Sequence, residues 1–283
     1  EEMFNNPDNQ KRFKELHNKD LSVPKTWQDY YQVAEFFTTE NTYGVCIEGS
    51  EGGWLYYELM NYLFGQGGTI MDKQYGWEST IDSKVLINSE QNINALKYYL
   101  SLKPFNAGNY NTVDASSKIE LMEKGNVAMS IVWSDYIYGL SYDENKILRN
   151  KFGFAPIPGD KSALAGGSFY INKMSKNKDI AIAYVNDLMQ PKTQIELAKN
   201  GLCSPLKSTY SNAEVKQIPY SDALYQSLNR GVYMFEAGPD ADIISQTITK
   251  YVQQIWKGEI SVEEGLNAAQ EEVVQRRKTE VFN

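Results

Sequence analysis

The sequence predicts an α/β protein, and two observations carry that reading. Short apolar runs with strand character are few, and helical periodicities separate them. Three of those runs fall close together, at 128–132, 152–157 and 169–172, and each is bounded by polar and glycine-rich residues. The 283 residues are enough to bury a large core in one or two domains. No internal repeat and no low-complexity segment interrupts the pattern.

Residues 1–19 are polar with scattered apolar positions, and a helix is expected across 9–16. Val23-Pro24-Lys25-Thr26-Trp27 opens the first firm helix. Thr26 suits the N-cap because its hydroxyl can accept from first-turn amides, and Asp29 suits the positive helix end. Val33, Ala34 and Phe37 then share one face. A buried strand is expected at 43–47, ending in Glu48-Gly49-Ser50-Glu51-Gly52-Gly53. The next helix aligns Leu55, Leu59, Tyr62 and Leu63 on one face and stops at Gly65, with Gly67-Gly68 beyond. Ser89 caps a helix that turns Ile93, Leu96 and Leu100 inward and halts before Pro104. A short helix at 116–124 ends at Gly125 and leads into the strand at 128–132.

That strand ends at Trp133-Ser134-Asp135-Tyr136. The strand at 152–157 ends at Pro158-Gly159, and Gly166-Gly167-Ser168 launches the one at 169–172. An amphipathic helix at 178–188 follows. Strand ends that carry aromatic, hydroxyl and carboxylate groups beside a Gly-Gly suit a cleft for a polar ligand. Pro191 at a first helical position and Gly201 past the end bracket a helix at 191–200, and 202–206 is a crossing segment. Further helices are expected near 212–217, 222–229, 241–256 and 261–279. The last opens with the capping box Ser261-Val262-Glu263-Glu264.

Composition excludes several function classes. Net charge is −8 and no basic block stands out, which speaks against nucleic acid as a partner. No apolar run approaches the ~18 residues of a membrane span. Cys46 and Cys203 are the only cysteines, and they are readable as a disulfide or as two buried thiols. His17 is the single histidine, in a segment that reads as solvated. With one His and two distant Cys, neither a zinc cluster nor a His-based triad can be assembled from this chain. The Gly-Gly pairs match neither the phosphate-loop nor the dinucleotide pattern, so no metal and no cofactor is implied.

Paired carboxylates for glycoside hydrolysis remain open, with Glu48/Glu51 and Asp240/Asp242 as arguable pairs, although solvated loop or helix-start charges explain them as well. A binding cleft asks for less chemistry. Sugars present apolar faces for aromatic rings and hydroxyls for carboxylates, amides and backbone N–H groups. The 20 tyrosines suit such a surface, since each offers a flat ring and a hydroxyl. Trp54, Trp133 and Tyr136 all fall just after strands, with Glu51 and Asp135 nearby. Packing of these rings into the core is the competing explanation.

The order of motifs resembles the bacterial extracellular solute-binding proteins of carbohydrate ABC transporters, the maltose-binding-protein-like family. The pieces are Pro24-Lys25-Thr26-Trp27, Tyr43-Gly44, Gly67-Gly68, Glu123-Lys124-Gly125-Asn126-Val127-Ala128-Met129 leading into Trp133, Pro156-Ile157-Pro158-Gly159, Gly166-Gly167-Ser168, Ser175-Lys176-Asn177, Gly201 through Pro205, and Trp256-Lys257-Gly258 with Ser261-Val262-Glu263-Glu264-Gly265-Leu266. Each is weakly specific alone; their sequence covers nearly the whole chain.

The resemblance implies a type II periplasmic-binding-protein fold with two α/β lobes and a hinge. It also implies a non-enzymatic receptor that hands a mono- or oligosaccharide to a membrane permease. It places ligand contacts at Glu51, Trp54, Trp133, Asp135, Tyr136, Gly166, Gly167, Ser168, Glu236 and Asp240, and offers no aromatic on the cleft side of 245–249, where the family often has one. Residues 1–160 are expected to form the main part of the second lobe, 161–207 to belong to the first lobe and the crossing, and 208–283 to return to the second lobe and hinge. Family members carry a long segment ahead of the part matching residues 3–20, so the first lobe is expected to be incomplete in this chain unless another chain or segment supplies it. The implied location is extracytoplasmic, in the periplasm or lipid-anchored at the cell surface, with the export signal outside this chain. The alternatives are a glycoside-processing enzyme, or a receptor of the same fold for a non-sugar ligand such as a polyamine.

Overall fold

The computed structural model of the protein describes residues 1–72, 80–142, 151–234 and 238–282. In chain order the elements are α1 (Glu2–Asn5), α2 (Pro7–His17), α3 (Trp27–Phe37), β1 (Tyr43–Val45), α4 (Gly53–Gly65), α5 (Glu90–Ser101), α6 (Ala115–Glu123), β2 (Val127–Met129), α7 (Ser134–Tyr142), β3 (Ser162–Leu164), α8 (Lys178–Leu188), α9 (Pro191–Lys199), α10 (Ala213–Lys216), α11 (Ser221–Asn229), β4 (Gly231–Tyr233), α12 (Ala241–Lys257) and α13 (Val262–Arg276). The chain divides into two compact units. One comprises Glu1–Ile131, Ile157–Ala165 and Arg230–Asn283; the other comprises Val132–Pro156 and Gly166–Asn229.

The first unit is built on two short parallel pairs. β1 pairs with β2 in the register Tyr43↔Val127 and Val45↔Met129, and β3 pairs with β4 in the register Ser162↔Gly231 through Leu164↔Tyr233. α3 packs directly on β1, and Gly44 permits it: a Cβ there would lie 1.9 Å from the carbonyl oxygen of Ala34. Phe13, Leu21, Val33 and Phe37 form one apolar cluster of this unit, and Cys46, Ala107, Val113 and Val127 another. Thr26 caps α3 and the Ser261–Glu264 capping box forms as the sequence predicts; Asp29 completes a capping box with Thr26, and a third, Asp114–Ser117, starts α6 at Ala115. α12 buries Ile244, Ile248, Val252 and Ile255 and packs on α13 and α4.

Several local expectations are corrected. α5 turns Asn92, Ala95, Leu96 and Tyr99 inward rather than Ile93 and Leu100, because the Asn92 amide is committed to the core. Its Nδ2 donates to the carbonyls of Thr69 (2.8 Å) and Leu86 (2.9 Å), and its Oδ1 accepts from the Thr69 amide (3.1 Å). Both cysteines are free; Cys46 is buried, with its thiol pushed up to about 12 by burial, but Cys203 is exposed. His17 is half-buried with its ring 4.4 Å from that of Phe13, not fully solvated.

In the second unit, Ala198, Tyr210 and Val215 form a core cluster edged by Ile195, Ile218, Leu224, Tyr225 and Leu228. Ser204 braces it, its hydroxyl donating to Gln194 Oε1 at 2.8 Å and its amide to the Tyr210 hydroxyl at 3.0 Å. Here two predicted strands do not form. Residues 152–157 and 169–172 carry no regular secondary structure and have no ladder partner among the described residues. A strand exists only through hydrogen bonds to a neighbour, so an apolar run alone cannot make one. Phe169 and Tyr170 are 72% and 90% exposed. α8 has its predicted boundaries, yet its apolar face is uncovered: Ile180 is 70% and Tyr184 61% exposed.

Candidate functional site

The loop that follows β1 is the best-defined polar surface among the sequence-predicted residues. Its backbone is pinned at successive points. Ile47 N donates to Asn106 Oδ1 at 2.7 Å, and the amides of Gly49 and Ser50 both donate to the Val113 carbonyl at 3.0 Å. Gly49 admits no side chain: a Cβ would sit 1.9 Å from the Tyr110 carbonyl oxygen and 2.5 Å from the Trp256 ring. Gly52 then takes φ +95°, a left-handed region that glycine alone occupies freely, and turns the chain into α4.

Glu51 projects from this loop, exposed, with Lys257 Nζ 2.5 Å from its Oε1. The hydrogen bond and charge of Lys257 hold the Glu51 carboxyl below its ordinary range. Trp54, half-buried in the first turn of α4, meets the Tyr57 ring edge-on at 5.8 Å. Beside the loop lies a cavity of about 590 Å³ lined by Ser50, Glu51, Asn111, Thr112, Trp256 and Lys257, with Gly49 and Gln253 at its margin. Its wall combines an aromatic ring, hydroxyls, amides and one ion pair, the mixture that a polyhydroxylated molecule requires. The hydroxyl of Ser50 and the indole nitrogen of Trp256 are buried without a hydrogen-bond partner among the described residues. Asn111, Thr112, Gln253, Trp256 and Lys257 were not among the sequence-predicted contacts, because tertiary packing brings them there, the last three on α12 and the first two on the connection between α5 and α6.

Trp133, Asp135 and Tyr136 share the start of α7 in the second unit. Trp133 and Tyr136 are half-buried and Asp135 is exposed; the Trp133 carbonyl accepts from Tyr136 N at 3.1 Å, and Asp135 stands at the positive end of the helix. Gly166, Gly167 and Ser168 are exposed, and a Cβ added to either glycine would meet nothing within 4 Å among the described residues. Glu236 lies outside the described residues. Asp240 is corrected: it is fully buried, and its Oδ2 accepts from Arg277 Nε at 2.5 Å. Arg277 also donates to the carbonyls of Ser83 (2.9 Å) and Thr80 (2.7 Å). A carboxylate committed to a buried guanidinium is a structural anchor for the end of α13, not a ligand contact.

Beneath the loop lies a group that the sequence reading left as a solvated charge. Glu48 is 1% exposed, and with Glu58 and Lys118 it forms a buried triad. Lys118 Nζ lies 2.9 Å from Glu48 Oε1, 2.5 Å from Glu58 Oε2 and 3.0 Å from the Ile131 carbonyl oxygen. Glu58 Oε2 also accepts from the Glu48 amide at 2.8 Å, and the Tyr99 hydroxyl donates to the Glu48 carbonyl at 2.5 Å. Burial pushes the Glu58 carboxyl up to about 7 against the pull of Lys118, with the Glu48 charge adding to the rise. Burial alone would lower Lys118; the two facing carboxylates outweigh it and hold the ammonium above its ordinary value. One signal was legible in advance: Lys118 shares a helix face with the apolar residues Ala115 and Met122, which also are buried.

Comparison with known proteins fixes the class of this fold. A solute-binding protein of an ABC transporter from Thermotoga lettingae, bound with alpha-D-tagatose, superposes with a TM-score of 0.76 at 21% identity, covering 94% of this chain and 68% of that one. The maltose-bound MalE3 of T. maritima gives 0.76 at 20% identity, with 93% and 68% covered. A solute-binding protein of Agrobacterium radiobacter in complex with ribitol gives 0.77 at 21% identity, with 94% and 67% covered. The shared architecture is the α/β fold of type II periplasmic binding proteins. Residues 6–195 match the family described as bacterial extracellular solute-binding protein, and the chain belongs to that family.

Proposed function

We propose that the protein is the extracytoplasmic substrate-binding component of a bacterial ABC transporter, which holds a mono- or oligosaccharide and delivers it to the membrane permease. Family membership, together with a fold shared with receptors solved with tagatose, maltose and ribitol, carries this reading. Trp54, Trp133 and Tyr136 supply ring faces; Glu51 and Asp135 accept from hydroxyls; Gly166, Gly167 and Ser168 lend backbone N–H groups and a hydroxyl. The Glu51–Lys257 pair is exposed, and surface pairs of this kind contribute little, so a sugar hydroxyl can replace the lysine. The polar wall at Asn111, Thr112 and Gln253 joins this set.

Isothermal titration against a panel containing maltose, D-tagatose, ribitol, D-mannitol and spermidine tests the reading. Binding of at least one saccharide or sugar alcohol is expected, weakened about tenfold or more by Trp133→Ala, since loss of a stacked ring removes ~1.4 kcal/mol or more. Binding of spermidine alone, or of nothing even with the first lobe completed, would overturn it. The role is non-enzymatic: no turnover of aryl glycosides is expected, and turnover abolished by one acid replacement would favour the glycosidase reading instead.

Three further features belong to the same proposal. The family resemblance supports lobes divided as 1–160, 161–207 and 208–283, a division that differs from the compact units at 132–156 and 208–229. The location is extracytoplasmic, in the periplasm or lipid-anchored at the cell surface. Another polypeptide segment completes the first lobe. The last is supported by the exposed Phe169, Tyr170, Ile180 and Tyr184, and by the third of each similar structure that has no counterpart here. Size-exclusion chromatography of the chain alone is expected to show self-association through that apolar surface.

A further inference from the structure

We propose that Lys118, Glu48 and Glu58 form a buried clamp that positions two ligand-contacting segments at once, the loop bearing Glu51 and Trp54 and the strand exit leading to Trp133, so that ligand affinity depends on it. The inference rests on the sugar-receptor reading for the identity of those segments, but its geometry stands independently. Three separate pieces of chain meet at one ammonium: Glu48 from the loop after β1, Glu58 from α4, and the Ile131 carbonyl beyond β2. Glu48 lies three residues before Glu51, and Ile131 two residues before Trp133. The Glu58 carboxylate grips the loop a second way, through the Glu48 amide. Replacing such a triad by apolar residues commonly leaves stability equal or higher, so its presence argues for a role in fixing geometry.

The clamp has two settings. With Glu58 ionised, Lys118 is held by both carboxylates and the Glu48 amide donates to a charged acceptor, the stronger kind of hydrogen bond. With Glu58 protonated, Lys118 keeps the Glu48 carboxylate and the Ile131 carbonyl but loses one of its two counter-charges. The groups facing Glu58 are Lys118 from α6, Glu48 and Cys46 from the β1 exit, Tyr30 from α3, Tyr62 from α4 itself and Tyr99 from α5. Of the tyrosines, Tyr30, Tyr62 and Tyr99 are all pushed well up by burial and stay neutral, as does Cys46, at about 12. Lys118 stays charged, so Glu58, at about 7, is the group that changes state near neutrality. The ionised clamp holds the segments more tightly, while the buried extra charge disfavours the folded state. Affinity and stability therefore move in opposite directions as pH rises through 7, a signature that a purely structural ion pair would not give.

The test uses whichever of maltose, D-tagatose, ribitol or D-mannitol the wild-type chain binds most tightly. Its Kd is expected to tighten roughly three- to tenfold from pH 6 to pH 8, equivalent to about half to one pKa unit of coupling. Titrations at pH 7 in buffers of different ionisation enthalpy are expected to show proton release on binding. Glu58→Gln, nearly isosteric, should abolish both the pH dependence and the proton release, and Glu48→Gln should weaken binding at every pH. If none of the four probes binds even with the first lobe completed, the sugar reading fails but the clamp remains testable by amide hydrogen exchange. In that case protection of residues 47–54 and 130–132, corrected for intrinsic rate, is expected to increase from pH 6 to pH 8 in the wild type and not in Glu58→Gln. Affinity or protection that is flat with pH in the wild type, or a pH dependence retained by Glu58→Gln, overturns the proposal.

Discussion

At the residue scale, burial separates acids that composition treats alike. Glu51 and Glu48 lie three positions apart, yet one is exposed beside Lys257 and the other is sealed against Lys118. Asp240 shows the same contrast with a consequence for stability. Asp240→Ala takes the Asp240 carboxylate away from the buried Arg277 guanidinium, and breaking a buried pair in this way destabilises by about 3–5 kcal/mol. Urea denaturation is expected to register this as a large fall in midpoint with an unchanged slope. A change under about 1 kcal/mol would mean that the other contacts of Arg277, the Thr80 and Ser83 carbonyls among them, hold it without the carboxylate.

At the element scale, helix boundaries follow local chemistry. Thr26, Ser89 and Ser261 cap α3, α5 and α13 through side-chain oxygens that accept first-turn amides. Ser261→Ala is expected to cost about 1 kcal/mol and to fray the first turn of α13, measurable as a lowered Tm and faster amide exchange at Glu264. These helices were legible in the sequence because a cap needs only residues within one turn. The strands were legible only where a partner exists. β1 lies within its predicted run and β2 overlaps only the start of its own, whereas 152–157 and 169–172 have no ladder, and β3 and β4 were missed because their three-residue pairing joins segments far apart in sequence. The inward face of α5 was misjudged for a related reason: the contacts of Asn92 with Thr69 and Leu86 are tertiary.

At the scale of the whole molecule, stability carries a pH dependence that can be assigned a sign. Glu58 has its folded-state value raised from 4.5 to about 7, so the native state holds a proton that the unfolded chain releases. Its contribution is full below about 4.5, is lost as pH rises toward 7, and is absent above that. Asp114 behaves oppositely. The Ser117 amide and hydroxyl hold its carboxyl below the ordinary aspartate value, so its contribution is present above that value and lost in stronger acid. Between pH 5 and 7.5 the Glu58 contribution dominates this pair. The wild-type chain is therefore expected to lose stability relative to Glu58→Gln across that window in urea titrations. A difference that stays constant would place the Glu58 titration elsewhere.

The sequence by itself determined the α/β class, the helix caps, the family resemblance and the aromatic and acidic residues at the strand exits. These depend on periodicity, on short-range hydrogen bonding, and on the order of motifs along the chain. Only the tertiary structure decided which acids are buried, that Asp240 anchors Arg277, that α12 brings Trp256 and Lys257 beside the loop carrying Glu51, and that Lys118 gathers Glu48, Glu58 and the Ile131 carbonyl. Each of these joins residues distant in sequence, and a group's charge, exposure and partners are set by what packs against it.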